Sequence, residues 1–299
     1  MSRAALQPVT VQLDRQAYQL QVLRRTHQPP EHPRLVVVAY QPNPLAQGLL
    51  EVCLRAVQRY TPEPHELWVV DNCSPAARTR WLLDLPGANL VLNRTAPLPL
   101  EWRRSWKRWL PAPRQPKVGS YANAVGLELA ARLVDPGSAV LLPLHMDTLP
   151  CHPGWLSFLH SKLDDRTRAA GVHLHRLRVP EGVLHVLGFL VDFQLFRQLG
   201  LDFFPHLPEL DVGDRVTLAL RQAGYAVYAC RNTFNQPELA GAIPAASPAK
   251  NFTVFRALDD QDQVIFLHLG RGVRKTTGDH RRGVTPQEWI QFANRYLLA

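Results

Sequence analysis

Three neighbouring residues in mid-chain, His145, Met146 and Asp147, carry two side chains that can hold a divalent cation. Imidazole and carboxylate are both ligands for such ions, and here one residue separates them. They follow the apolar run from Ala139 to Leu144, which fits a strand buried on both faces. Thr148, Pro150, Pro153 and Gly154 then force a loop. Asp147 thus stands beyond the carboxyl end of a strand, where open α/β sheets bind ligands; an Asp at that position equally opens a turn. A second metal-capable histidine, His268, closes the run Ile265-Phe266-Leu267 and precedes Gly270-Arg271-Gly272-Val273-Arg274-Lys275. This segment can offer an imidazole to a metal and cations to a diphosphate, or be a basic turn beside a buried histidine. Asp211 and Asp214 stand three apart before an amphipathic stretch bearing Val216, Leu218 and Leu220. Either can take a proton, and either can serve the helix, Asp211 as its cap and Asp214 as a first-turn acid. Asp71, in Asp71-Asn72-Cys73-Ser74, can accept from a base N–H or a ribose hydroxyl, or open an Asx turn.

The elements that must position these groups read as strand and helix in alternation. Leu35 to Tyr40 is a buried-strand run, followed by the turn Gln41-Pro42-Asn43-Pro44. Leu49, Leu50, Cys53, Leu54 and Val57 recur at helical spacing. Strands follow at Leu67 to Val70 and Asn89 to Asn93, then a helix with Ala122, Val125, Leu129, Ala130 and Leu133 on one face. This alternation predicts an α/β fold with a mainly parallel central sheet flanked by helices. Further strands are expected near 169–174, 186–193 and 226–230, with a short helix over 194–199. A terminal helix starts after Thr285, with Pro286 at its first position. Residues 231–250, rich in Pro and Ala and without periodicity, read as a mobile loop. Residues 1–33 read as an N-terminal extension with two alternating stretches, at Val9 and Tyr18, able to pair as a hairpin. Gln28-Pro29-Pro30-Glu31-His32-Pro33 is a stiff linker, and the main domain spans 34–299.

Composition narrows the function class. With 46% hydrophobic and 20% charged residues over 299 positions, the chain can bury a sizeable core. No apolar run reaches the ~18 residues that span a bilayer, and the N-terminus lacks a secretory apolar core. Cys53, Cys73, Cys151 and Cys230 form no CxxC pair, so a structural zinc site is disfavoured and reduced thiols in a cytoplasmic protein are expected. The net charge of +9 suits anionic partners. Trp102, Trp106 and Trp109 fall at i, i+4 and i+7 among Arg103, Arg104, Lys107 and Arg108. Such a stripe packs on a core, lies at the inner face of a membrane, or stacks on an acceptor sugar. His173, His175 and His185 lie on a strand pattern without a nearby acid or cysteine and read as ordinary surface histidines.

Taken together, these stretches resemble GT-A-fold, family 2-like glycosyltransferases. The resemblance rests on Asp147-Thr148-Leu149-Pro150 with Pro153-Gly154-Trp155-Leu156, on Val69 to Ser74, and on Asp211 to Tyr225, across roughly residues 34–275. It departs at His145, which replaces the first acid of the DxD segment, at Val273, and in the spacing after Asp211. The resemblance implies inverting transfer of a sugar from a nucleotide-diphosphate sugar to a glycan or other hydroxyl acceptor. It implies a nucleotide-sugar half over 34–156 and an acceptor half with a C-terminal tail over 157–299. Ala39, Tyr40, Asp71, Gly119, Asn123, Arg271, Arg274 and Lys275 are then the donor-binding residues, with Asp211, or else Asp214, as general base. The divalent ion, Mn²⁺ or Mg²⁺, falls to Asp147, His145 and His268. Imidazole at His145 leans towards Mn²⁺, because Mg²⁺ prefers oxygen ligands.

Two other classes fit less of the chain. A nucleotidyltransferase would carry a Gly-rich basic loop after its first strand, and Gln41-Pro42-Asn43-Pro44 is not one. A degenerate GT-A module that binds glycan or membrane without catalysis is compatible with the altered DxD segment. Nucleic acid is not an expected partner, since no recognised binding motif accompanies the charge.

Overall fold

The computed structural model describes residues 5–100, 119–173 and 182–299. Trp102, Trp106, Trp109 and His175 lie outside them.

The alternating N-terminal stretches form an antiparallel hairpin, β1 (Gln7–Leu13) and β2 (Gln16–Leu23). Its two-residue turn, Asp14-Arg15, has both φ angles positive, at 45° and 57°. That is the geometry whose twist matches the flanking strands. The hairpin is built into the main sheet, because β2 pairs antiparallel with β5 (Ala88–Asn93).

The apolar runs supply a parallel block. β3 (Arg34–Ala39) lies between β4 (Glu66–Asn72) and β6 (Val140–His145), and β5 flanks β4. Helix α1 (Pro44–Tyr60) connects β3 to β4; Asn43 caps it by accepting the Ala46 N–H at 2.9 Å, and proline opens it. Its predicted stripe, Leu49, Leu50, Cys53, Leu54 and Val57, is fully buried. Helix α2 (Gly119–Leu133) covers the opposite face. Strand alternation divides the core accordingly, Val37 and Val69 facing α1 while Val36 and Val70 meet Ala124, Val125 and Leu129 of α2.

Beyond β6 the sheet becomes mixed. The remaining strands are β7 (Thr148–Pro150), β8 (Thr167–His173), β9 (Leu184–Asp192), β10 (Ala226–Asn232), β11 (Phe255–Leu258) and β12 (Val264–His268). Among the described residues the order is β1-β2-β5-β4-β3-β6-β9-β8-β10-β11-β12-β7. β9 runs antiparallel to both β6 and β8. Residues 174–183, between β8 and β9, are too few for the crossover a parallel return needs. The last three strands pair antiparallel, while β8 and β10 pair parallel, so the central block is parallel and the flank beyond it is mixed.

The remaining α-helices of five residues or more among the described residues are α3 (Trp155–His160), α4 (Phe193–Gln198), α5 (Asp214–Gln222), α6 (Gly272–Thr276) and α7 (Pro286–Phe292). The segment expected to be a mobile loop, 231–250, is instead tied down. Lys250 Nζ donates to the Gly241 and Ile243 carbonyls, and Arg256 Nη1 to those of Ala249 and Lys250. Ile243 and Ala249 are buried. No helix among the described residues is long and apolar enough to cross a membrane, and all four cysteines are free thiols.

Candidate active site

The candidate site arises where the chain leaves the parallel block. β6 ends at His145, the turn Met146-Asp147 follows, and Thr148 begins β7, which pairs with β12 rather than with the block. In that pairing Thr148 stands opposite His268. The residue before Thr148 is therefore beside the end of β12, although some 120 positions separate them in sequence. His145 Nδ1 lies 3.9 Å from Asp147 Oδ1, and His268 Nε2 lies 3.3 Å from the same oxygen. One ligand atom from each of the three residues falls within 4.8 Å of the others.

The surroundings fix the carboxylate. Asp147 Oδ2 accepts the Gly272 N–H at 2.8 Å, and its backbone carbonyl accepts the Leu269 N–H at 3.0 Å. A Cβ at residue 272 would come within 2.7 Å of the Asp147 Cβ, so only glycine permits this approach. Burial by itself would raise the Asp147 carboxyl. The imidazoles of His268 and His145 and the Gly272 N–H outweigh it and hold the group below the ordinary carboxylate range. The loop that follows is anchored by Trp155, fully buried, whose indole N–H donates to Thr61 Oγ1 at 3.0 Å. Gly154 before it has φ of 85°, a conformation that suits glycine.

The arrangement passes a chemical test for a divalent ion. Two imidazoles and one carboxylate converge from three sides, a donor set used by Mn²⁺ and related metals. The buried Nε2 of His268 makes no hydrogen bond of good geometry, its 3.3 Å approach to Asp147 Oδ1 being an ion-pair contact. A buried polar atom without such a bond is costly unless a further partner arrives, and a cation would supply it. The second nitrogen of His145 is already engaged, with Asn123 Nδ2 3.2 Å from Nε2. Which Asn123 atom faces the ring follows from the protonation of that nitrogen; Oδ1 there would put the proton on Nε2 and turn a lone pair on Nδ1 towards Asp147.

Helix α2 brings Asn123 to this place because Gly126, one turn later, lets the helix sit on Val38. A Cβ there would come within 2.4 Å of Val38 Cγ1. Val38 is the register partner of His145. The same end of the block carries Ala39 opposite Asp71 on β4. Asp71 is fully buried, with Oδ1 accepting from Gln41 Nε2 at 3.2 Å and Oδ2 from the Ser74 N–H at 3.1 Å. Desolvation raises its carboxyl, and those hydrogen bonds pull in the opposite direction. Gln41 in turn accepts the Trp81 indole N–H at 3.0 Å. Tyr40, 45% exposed, is an open aromatic group at this edge. Gly119 begins α2, and among the described residues nothing lies within 4 Å of where a Cβ would stand there.

On the other side, Arg271 adopts φ of 57° before α6, and its Nη1 lies 3.2 Å from His280 Nδ1. Arg274 is exposed. Lys275 is half-buried, and its Nζ donates to the carbonyls of Leu269 and Val284, bracing the turn that carries the arginines.

The two predicted bases belong to a neighbouring region. Asp214 is fully buried at the start of α5, and its Oδ2 accepts the Asp211 N–H at 2.7 Å. Asp211 is partly exposed, with Oδ1 on the Val212 N–H. A Cβ at Gly213 would meet Val186 at 2.4 Å, and Thr217 Oγ1 accepts the Leu184 N–H, so α5 packs on that face of β9. His185, between those two residues, points the other way. Its ring centroid is 5.2 Å from that of His145 and 6.5 Å from that of His268. Sequence reasoning grouped His185 with surface histidines. Only the β6–β9 pairing, with Leu144 opposite Gly188, shows that it faces the cluster. The signal present in the sequence was a polar ring inside an otherwise apolar strand.

No protein-family model and no curated protein matches the chain. Among solved structures, the mannosyltransferase PcManGT from Pyrobaculum calidifontis, in complex with GDP-Man and Mn²⁺, is similar with a TM-score of 0.46 at 15% identity, over 90% of this chain and 72% of that one. The galactosyltransferase LgtC, in complex with donor and acceptor sugar analogs, gives 0.49 at 12% identity over 88% and 96%. The likeness to these GT-A glycosyltransferases is one of fold.

Proposed function

We propose that this chain is an inverting glycosyltransferase that moves a sugar from a nucleotide-diphosphate sugar to an acceptor hydroxyl, with Asp147, His145 and His268 holding a divalent ion. The observation that carries the reading is the convergence of those three side chains at the carboxyl edge of the parallel block, on the stretch whose residues resemble the DxD segment. A bound ion would neutralise charge on the leaving diphosphate. The chain's own groups do the rest. Tyr40 offers an exposed ring on which a nucleotide base can stack. Asp71 acts through the Gln41 and Ser74 contacts that order the strand-end loops, and Gly119 leaves room for the donor near the start of α2. Asn123 orients His145, while Arg271 and Arg274 face departing phosphate and Lys275 braces their turn. Of the two acids, Asp211 is the base, because Asp214 is buried and engaged by the loop it holds.

Thermal shift of the full chain against nucleoside diphosphates and nucleotide sugars, with and without Mn²⁺, tests this. The expected result is a nucleotide-selective, Mn²⁺-dependent stabilisation that is lost in Asp147→Ala, with donor turnover lost in Asp211→Ala while donor binding persists. Stabilisation indifferent to Mn²⁺ would remove the metal from the reading. Binding of nucleotide sugar with no turnover under any condition would favour a non-catalytic glycan-binding module.

A further inference from the structure

Three imidazoles meet at this site, and their second nitrogens sort them into two kinds. His145 directs Nδ1 at Asp147 and has Nε2 against Asn123. His268 directs Nε2 at Asp147. Each therefore presents one nitrogen to the place where a cation would sit. His185 differs. Its Nδ1 accepts the Leu187 N–H from its own strand at 3.2 Å. A nitrogen that accepts carries no proton, so in neutral His185 the proton is on Nε2. That is the ring's outward nitrogen, since Nδ1 is turned back on β9. It has an N–H to give and no lone pair for a metal. Swapping the tautomer would set an Nδ1–H against the Leu187 N–H, donor against donor.

We propose that His185 is a hydrogen-bond donor to an anionic oxygen bound beside the metal, a phosphate oxygen of the donor's diphosphate, and not a third metal ligand. The inference rests on the glycosyltransferase reading and adds a residue that contacts its leaving group. The placement suits the role. The β6–β9 pairing sets His185 edge-on to His145, at 80° between ring planes, and beside His268, next to the place where Asp147, His145 and His268 would hold the ion. His185 is half-buried, which strengthens a charge-assisted hydrogen bond while leaving the ring reachable. Leu184 and Val186 pack on the opposite face of β9, so the strand is held and the ring does not have to be ordered on binding.

The full chain would be titrated with Mn²⁺, followed by the loss of the free-ion paramagnetic signal, and then with pyrophosphate at saturating Mn²⁺, for the wild type, His185→Ala and His185→Gln. Pyrophosphate stands for the diphosphate without base or sugar. His185→Ala should keep Mn²⁺ affinity within about twofold and lose about tenfold in pyrophosphate affinity, as expected for one hydrogen bond to a charged group. His185→Gln, which retains an N–H donor, should recover most of that loss. A matching fall in melting temperature for both variants would mark a merely structural residue. Loss of Mn²⁺ affinity in His185→Ala would make it a ligand, and unchanged pyrophosphate affinity would remove it from the site; either overturns the proposal. A wild type that binds no Mn²⁺ would overturn the proposal together with the metal site, leaving the glycosyltransferase reading to the nucleotide-sugar test, and is distinguished by failing before any variant is compared.

Discussion

At the scale of single residues, the candidate site depends on one close approach and one changed residue type. Gly272 brings its N–H within 2.8 Å of Asp147 Oδ2 only because it has no Cβ. Gly272→Ala must move either the carboxylate or the start of α6. We expect about 10–100-fold weaker Mn²⁺ binding, the range seen when groups that orient a metal ligand are disturbed, with a small change in melting temperature. A Mn²⁺ titration beside a melting curve checks it, and unaltered affinity would show that the carboxylate is held by other means. His145 stands where the resemblance expects an acid. Imidazole suits Mn²⁺ and disfavours Mg²⁺, which requires oxygen ligands and near-octahedral order. His145→Asp should therefore raise Mg²⁺ affinity relative to Mn²⁺, read by competition between the two ions. A variant with the wild-type preference would mean that His145 does not set the metal's identity.

At the scale of elements, the C-terminal helix shows how little sequence is needed when a local rule is complete. Thr285 accepts the Glu288 N–H at 3.2 Å, and Glu288 Oε2 accepts the Thr285 N–H at 2.7 Å, a reciprocal capping box with Pro286 at the first position. The helix buries Trp289 and Phe292 against α1 and its surroundings. Thr285→Ala should cost about 1 kcal/mol in denaturant unfolding. The Thr285 N–H, then its hydroxyl, hold the Glu288 carboxyl below its ordinary value. A lowered folded-state value means that the contribution is present above the unfolded carboxyl's ~4.3 and fades as pH falls through the folded value. Melting temperatures of wild type and Glu288→Ala should thus differ by a constant amount near neutrality and converge in acid. A gap that widens in acid would contradict the assignment. The same contrast explains what the sequence disclosed. β3, β6 and α1 were legible because apolar runs and stripes are local signals. β11 was not, because Arg256 sits within its four residues and becomes buriable through Thr233 Oγ1 and the carbonyls of Ala249 and Lys250. His185 reads from sequence as a surface histidine because its neighbours are set by strand pairing across some 40 positions.

At the scale of the molecule, the chain brings together two sheet regions that meet at one turn. The parallel block ends at His145, and the antiparallel flank with β12 and β7 supplies His268 and receives Thr148. Asp147, between them, already joins the two through its hydrogen bonds to Gly272 and Leu269. Motif residues in sequence order pointed to this turn, and the family resemblance brought His268 to it; spacing alone had no means of showing that the tail would return, since β12 reaches β7 by pairing and not by proximity in the chain. A cation on His145, Asp147 and His268 would add a second, stronger tie between the regions. Ligand binding to the folded state alone stabilises it by about 2.7 kcal/mol at a hundred times the dissociation constant. That gain should appear locally first, since openings that separate the flank from the block are the ones the tie suppresses. Hydrogen exchange with and without Mn²⁺ should therefore slow at 145–150 and 264–272, with little change in the hairpin at 7–23, which packs at the far edge of the sheet. Asp147→Ala should abolish the local effect while leaving exchange in the hairpin as it was. Protection spread evenly over the chain, or confined to the hairpin, would mean that the ion binds elsewhere and that this turn only joins two halves of a sheet.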